Sequence, residues 1–423
     1  MNISTVSAVI SALFMCQCLT FQNARAYLPE SASVKAAQSR ITQSKQWAQW
    51  ILSQVSALPS TQAIEAGTRV ADEQRISMQQ PLFNPELNAF YTDKDDEEYG
   101  VVWSQTIDWF DKRSANSRLG QVDYELLTLD KLQQTENKLA RALFAYIEYS
   151  TAKQLLDIAK KQEILLAQLS ANLKIREDAG DIELIDAEMA YLSLSENLQQ
   201  ISLTQIRYKK ASASLEKALN VHTIPAFPAA SVWENDLADI ETLEYIEKGL
   251  NIQYARKQIE QSIAQAKIAQ LDKKVNPTVG LGAGRDGDEN TILFEISVPL
   301  NIRNNFSSQY RASLHKVSQS ELELLAKRRV LEQEINLGLE NYQYLNKRAS
   351  LWRKLTGKRL NNSQKLLTKQ WQSGDVTTSD YLFSLQRRSN SLVANIELNS
   401  EMKKAWVEWL LATSQLRSWL KNL

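Results

Sequence analysis

Gly180-Asp181-Ile182-Glu183-Leu184-Ile185-Asp186 has an echo in Gly374-Asp375-Val376-Thr377-Thr378-Ser379-Asp380. Upstream, Asn84-Pro85 and Asn276-Pro277 each open a short alternating stretch. The Asn-Pro pairs lie 192 residues apart and the Gly-Asp motifs 194 apart. An offset that holds over such a span marks an internal duplication, and a duplication sets the architecture before any other reading. The chain therefore divides into a leader at 1–26, a first repeat at 27–225 and a second at 226–423.

Working outward from the two motifs, the flanking sequence is helical. Arg113 to Ala179 runs 67 residues with no proline and only Gly120, roughly 100 Å of helix. Asp181 to about Asn220 follows. Ser33 to about Met78 is helix-forming with a break near Pro59, and His222 to Asn235 is a linker carrying Pro225 and Pro228. Leu237 to Lys274, Arg303 to Ser373 and Asp375 to Lys421 complete the set. Apolar residues recur at three-to-four spacing in Ile182, Ile185, Met189, Leu192 and in Leu382, Leu385, Leu392, Ile396. Helices of this length need coiled-coil partners to cover such stripes. At each motif the glycine suits a left-handed helix end, and Asp181 and Asp375 are expected to cap the next helix. Each motif is thus the tip of a helical hairpin. The returning arms are shorter than the outgoing ones, so shorter helices must stack end to end beside the two long ones.

Two pairs of strand candidates interrupt the helices. Val101 to Trp109 alternates Val101, Trp103, Gln105, Ile107, Trp109 against Val102, Ser104, Thr106, Asp108. Ile292, Phe294, Ile296 and Val298 oppose Leu293, Glu295 and Ser297. Val279, Leu281 and Ala283 oppose Thr278, Gly280, Gly282 and Gly284. Leu87 to Thr92 alternates less cleanly. Period two with one apolar face is a half-buried strand. Polar loops, Asp93 to Glu98 and Arg285 to Asn290, join the pairs, so each repeat carries one hairpin, at about 86–109 and 277–299. A small soluble four-stranded cap and a membrane barrel both fit this alternation. Trp103 and Trp109 suit a membrane girdle and an ordinary core alike.

The N-terminus reads as an export signal. Ala8 to Met15 is apolar but for Ser11, and Ala24-Arg25-Ala26 has the small-x-small form of a cleavage site. Cys16 and Cys18, the only cysteines, lie within it, so the mature chain has no thiol chemistry. Losing the leader removes Arg25 and no acid, leaving 48 basic against 49 acidic side chains. That balance argues against nucleic acid as a partner. No mature segment has the apolar length of a transmembrane helix, so a membrane form would have to span by strands. Two histidines, His222 and His315, and no Gly-x-Ser-x-Gly or zinc-ligand spacing point away from an enzyme. With only Met78, Met189 and Met402 left as soft ligands, neither a metal relay nor a cofactor is expected.

Two repeats of helix, hairpin, long helix, glycine tip and returning helix resemble the TolC-type outer membrane efflux proteins. Ala179-Gly180 through Asp186-Ala187-Glu188 and Gly374 through Asp380 match that family's tip motif, a glycine with an aspartate six residues on. Pro299-Leu300-Asn301 after a strand is similar too, and the likeness covers the mature chain. The resemblance implies a mainly α fold with a β-barrel part: a trimeric α-helical periplasmic tunnel beneath a 12-stranded outer-membrane barrel, four strands per protomer. It implies an outer-membrane exit duct of a tripartite efflux or type I secretion system, extending into the periplasm. The partners it implies are two further copies of the chain, a periplasmic adaptor (membrane fusion) protein, an inner-membrane pump and outer-membrane lipid. The pore lumen would be lined by Ser104, Thr106, Asp108, Glu295 and Ser297. The periplasmic constriction would carry Asp380, with Asp186 its counterpart, and the adaptor would dock on Gly180, Asp181, Gly374 and Asp375. Where some members have a further carboxylate this chain has Phe383, and where they have an arginine it has Val376. For the two aspartates the competing role is a first-turn residue favouring the helix dipole. The competing function is a structural periplasmic coiled coil without a pore.

Overall fold

The computed structural model describes residues 32–93, 97–221, 223–225, 228, 230–233, 242–356 and 359–423. The leader at 1–26 with both cysteines, His222, and part of the linker between the repeats lie outside the described residues. In chain order the elements are α1 (Ala32–Ala57), α2 (Pro59–Met78), β1 (Glu86–Asp93), β2 (Glu97–Thr106), α3 (Lys112–Asp178) and α4 (Leu184–Leu219). A 3-10 turn (Ala230–Trp233) leads to the second repeat: α5 (Thr242–Lys248), α6 (Leu250–Asp272), β3 (Thr278–Asp286), β4 (Glu289–Ser297), α7 (Ser307–Thr356), α8 (Arg359–Gln372), α9 (Thr378–Ala412) and α10 (Leu416–Asn422).

The long helix α3 has the expected 67 residues, and two shorter helices return along it. Met78 meets Gly120 and Ser60 takes the Lys138 ammonium, which lays α2 against its first part. Arg207 on Glu148 and Tyr191 on Glu177 lay α4 against its second. In the second repeat α6 runs beside α7 through the buried Ser262–Ser320 hydroxyl pair, and α9 continues the line where Tyr342 packs on Trp406. Gly338 of α7 faces Trp409 of α9, where a Cβ would stand in ordinary contact 3.4 Å from the Trp409 backbone. The stacking of short helices on long ones is as the arm lengths required.

Three helix boundaries differ from the periodicity reading. The stretch ending at Lys274 is broken at Gly249, which stands in extended conformation as the N-cap of α6. The last helix breaks at Thr413–Ser414, with Ser414 left-handed. The second long helix starts at Ser307 rather than Arg303, because Asn304 and Asn305 turn their side chains onto the backbone N–H groups of Phe306 and Ser307. In each case a local hydrogen-bonding or backbone feature overrides an apolar period that reads through it.

Apolar side chains gather in two clusters. The larger joins Trp47, Tyr146, Trp233, Tyr342, Trp406 and Trp409 with the aliphatic faces of α1, α3, α7, α9 and α10. The smaller, towards the tips, is built of Leu166, Leu169, Leu173, Ala190, Leu194, Ile201, Tyr381 and Leu382. A buried bond from Thr151 to Ser400 (2.9 Å) ties repeat to repeat, as does Arg207, which binds Glu148 and Glu397 together.

The four strands form one antiparallel sheet in the order β1-β2-β3-β4. The two hairpins, distant in sequence, join through β2 and β3. The strand limits shift from the sequence reading. β2 begins at Glu97 and ends at Thr106, so Ile107 to Trp109 is not strand. The second loop contracts to Gly287-Asp288 between the paired Asp286 and Glu289, with Gly287 at φ +58°.

Candidate functional site: sheet face and hairpin tips

The ladder fixes what each face of the sheet carries. Leu87, Trp103, Leu281 and Phe294 stand in one row, and Ala89, Val101, Ala283 and Ile292 in the next. These rows are apolar and exposed, with Leu87 at 73%, Phe294 at 71% and Ile292 at 84%; Gln105, Arg285 and Asn290 are polar residues of this face, towards its two ends. Tyr91 and Tyr99 pair at the hairpin end, and the exposed Trp109 lies beyond the other end. The opposite face has the rows Glu86–Ser104–Gly280–Glu295 and Thr106–Thr278–Ser297. Thr106 and Thr278 share a hydroxyl hydrogen bond of 2.7 Å. Ser104, Thr106, Glu295 and Ser297 thus lie on one face, as the alternation implied. Gly100, Gly282 and Gly284 join Gly280 there. A Cβ on Gly282 would come within 2.8 Å of the Val101 carbonyl, and one on Gly100 within 2.8 Å of the Phe90 ring. Glycine is what lets neighbouring backbone and side chains approach so closely on this side.

Asp108 is not part of that face. It lies beyond β2, where its carboxylate accepts from the backbone N–H of Lys112 (2.9 Å) and Arg113 (2.8 Å). Asp111 accepts from Ser114. The two aspartates satisfy the orphan donors that open α3. Asp108 also takes the amide of Asn276, which lies under β3, so this carboxylate fastens sheet to helix. Alternation alone could not distinguish a last strand residue from a first capping residue.

The two tips are built alike. Gly180 has φ +74° and Gly374 φ +80°. In the first, Gly180 N–H bonds Glu177 O (3.0 Å) and Asp181 N–H bonds Arg176 O (2.8 Å). In the second, Gly374 N–H bonds Trp371 O (3.2 Å) and Asp375 N–H bonds Gln370 O (3.0 Å). Both are Schellman closures with glycine at C′. Neither glycine has an atom within 4 Å of where a Cβ would stand, so the tips point into open space. Asp181 and Asp375 do not cap the following helices, contrary to expectation. The Schellman turn uses their N–H groups, and each helix starts only after an extended N-cap residue, Glu183 or Thr377. Glu183 stands at the N-cap of α4 with no side-chain bond, and Thr377 caps α9. Asp375 instead accepts from Ser373.

Asp380 shares the N-terminal cap of α9 with Thr377. Its N–H donates to the Thr377 hydroxyl oxygen (3.1 Å), and that hydroxyl donates in turn to the Asp380 carboxylate (2.8 Å). Asp186 occupies the first turn of α4. Both positions fit the helix-start role, and the structure does not bring the two carboxylates into contact with each other. The interaction between the tips belongs to residues that the motif reading passed over. Arg176 donates to the Thr378 hydroxyl (3.2 Å) and to the Asp181 carbonyl (3.4 Å), joining hairpin to hairpin. Trp371 stacks on the buried Tyr381 at 5.0 Å and 9°. An aromatic on each side of the second glycine was the available signal.

No protein-family model and no curated protein matches the chain. Solved structures do. The chain is similar to the CmeC outer membrane channel of Campylobacter jejuni, with 11% identity, 89% of each chain covered and a TM-score of 0.72. It is similar to the open-state MtrE outer membrane channel of Neisseria gonorrhoeae, with 12% identity, 88% of this chain, 89% of that chain and a TM-score of 0.70. For CusC, described in terms of transmembrane channel formation, the values are 13% identity, 87% and 92% coverage, and a TM-score of 0.71. At these identities the likeness is one of fold. The chain has the fold of these outer-membrane channels.

Proposed function

We propose that this chain is the outer-membrane exit duct of a tripartite efflux or type I secretion system, conducting substrate passively and working as a homotrimer. The observation that carries this is the sheet: an exposed apolar face, a polar and glycine-rich opposite face, and free edges at β1 and β4. Open edges are not tolerated in lipid. Four strands cannot close a barrel, and three copies supply twelve. Among the described residues no helix is long and apolar enough to cross a membrane, which says nothing against spanning by strands.

The helices support the same assembly. On α4, Ile185, Met189, Leu192, Leu203 and Ile206 follow a heptad spacing. On α7, Val330, Leu337, Tyr344 and Leu351 recur every seventh residue. All are between 46% and 67% exposed. Unpartnered heptad stripes call for helices from another copy. One free edge and one stripe belong to each repeat, so a head-to-tail contact that closes into a ring covers both.

In this reading outer-membrane lipid covers the apolar face, and Ser104, Thr106, Glu295 and Ser297 line the lumen. Gly180, Asp181, Gly374 and Asp375 meet a periplasmic adaptor, and an inner-membrane pump supplies substrate. Asp380, with Asp186, faces the axis at the periplasmic constriction. The test is fractionation, crosslinking and planar-bilayer recording. A detergent-extracted trimer that conducts is expected; a monomer soluble without detergent, or a trimer that does not conduct, overturns the proposal.

A further inference from the structure

Between α3, α4 and α9, part-way from the tips to the larger core, lies a cavity of about 290 Å³. Its apolar walls include Leu165, Leu166, Leu382 and Leu385. Its polar lining is Gln162, Asn197, Gln386 and Ser389, of which Asn197 and Ser389 are each only 7% exposed. Gln386 spends its amide N–H on Asn390 (3.1 Å). Its buried Oε1 has no partner among the described residues. A buried acceptor left open is costly and calls for a donor. Two cations, Lys161 and Arg388, also line the cavity, and among the described residues no carboxylate does. Apolar walls with a few convergent polar groups are the composition of a small-molecule site.

We propose that this cavity is a binding site for a small amphipathic organic anion, with its apolar body between the leucines of α3 and α9. Its acidic group faces Lys161 and Arg388, and a hydroxyl or N–H donates to Gln386 Oε1. Such an occupant touches the outgoing arm of the first hairpin and the returning arm of the second, and so holds the two hairpins together. The site is independent of the lumen and of the docking tips.

The probe is 6-hydroxy-2-naphthoate, which carries a carboxylate, a flat apolar body and a hydroxyl donor. It is titrated calorimetrically into the detergent-extracted full chain, with neutral 2-naphthol as comparator. Saturable binding is expected, with the comparator about ten-fold weaker for want of the charged contact. Gln386→Leu should weaken the probe about five-fold, the loss of one net hydrogen bond. Lys161→Gln with Arg388→Gln should reduce it to the level of 2-naphthol. Leu385→Trp fills the cavity and should abolish binding, with oligomeric migration unchanged. Leu385→Phe serves where the tryptophan variant does not fold. Non-saturable uptake that is equal in all variants, or equal affinity for anion and comparator, overturns the site.

Discussion

The second tip supports a prediction in which stability and function separate. Gly374 holds φ +80°, a conformation that costs an L-residue about 1–2 kcal/mol. Losing glycine also removes freedom from the unfolded chain, which returns about 0.4–1 kcal/mol. The net cost of Gly374→Ala is therefore about 1 kcal/mol. Since nothing lies within 4 Å of the Cβ position, Gly374→Leu meets no clash and should cost about the same. The same holds at Gly180, with φ +74° and open surroundings. Thermal melting of the extracted protein should thus show small and equal shifts for alanine and leucine. Adaptor binding and export in cells should instead fall with side-chain size: mildly for alanine, severely for the Gly180→Leu/Gly374→Leu double variant. Normal export by that double variant would remove the tips from the docking surface. A melting temperature that falls with side-chain size would refute the open-space argument itself.

Other residues give shorter tests. Arg176→Ala removes the hydrogen bond to Thr378 between the hairpins, worth about 1 kcal/mol, so single-channel recordings should show about five-fold more time in high-conductance states, and an unchanged occupancy rules out a holding role. Asp380→Asn keeps a side-chain acceptor for the Thr377 hydroxyl but loses the charge. Melting should barely change, while cation preference and block by a trivalent cation should drop; unaltered selectivity would leave Asp380 as a capping residue only. Burial pushes the Glu136 carboxyl pKa up, against the opposing backbone hydrogen bond of Arg417. A raised carboxylate pKa means the folded state binds the proton more tightly, so stability is lost as pH rises from the ordinary carboxylate range through the folded value. Glu136→Gln should then melt higher than wild type at neutral pH, with the difference shrinking on acidification; a difference that is constant with pH counts against this.

Legibility in the sequence followed the kind of force involved. The long helix α3 could be read to within a residue or two, because nothing in 67 positions interrupts it. The faces of β2, β3 and β4 could be read because a period of two leaves no alternative once one face is apolar. The pairing of β2 with β3 could not: a contact across some 170 residues has no local signature. Boundaries failed where a side chain competes with the main chain, as with Asp108 at α3 and Thr377 rather than Asp375 at α9. The Arg176–Thr378 bond was out of reach for a different reason. It joins two hairpins whose mutual position is set by Leu169, Leu173 and Leu382 in the smaller core, and no spacing within either motif encodes it.

The sheet also decides between the two readings that alternation left open. A soluble cap would turn its apolar face onto the helices. Here Leu87, Tyr91, Tyr99, Val101, Trp103, Leu281, Ile292, Phe294 and Ile296 are all between 45% and 84% exposed. Complete burial of a large apolar side chain contributes about 1.5–3 kcal/mol. Leaving nine of them this far exposed to water forgoes free energy on the order of the whole stability of a domain, about 5–15 kcal/mol. Hydrocarbon recovers that term without any protein partner. The opposite face could not use lipid, since it carries Glu86, Ser104, Thr106 and Glu295. One face for lipid and one for water, on strands of 8 to 10 residues, matches the 9–11 residues that a tilted strand needs to cross a bilayer. In the proposed assembly the edges at β1 and β4 are closed by further copies, which removes the unpaired backbone groups that lipid does not tolerate.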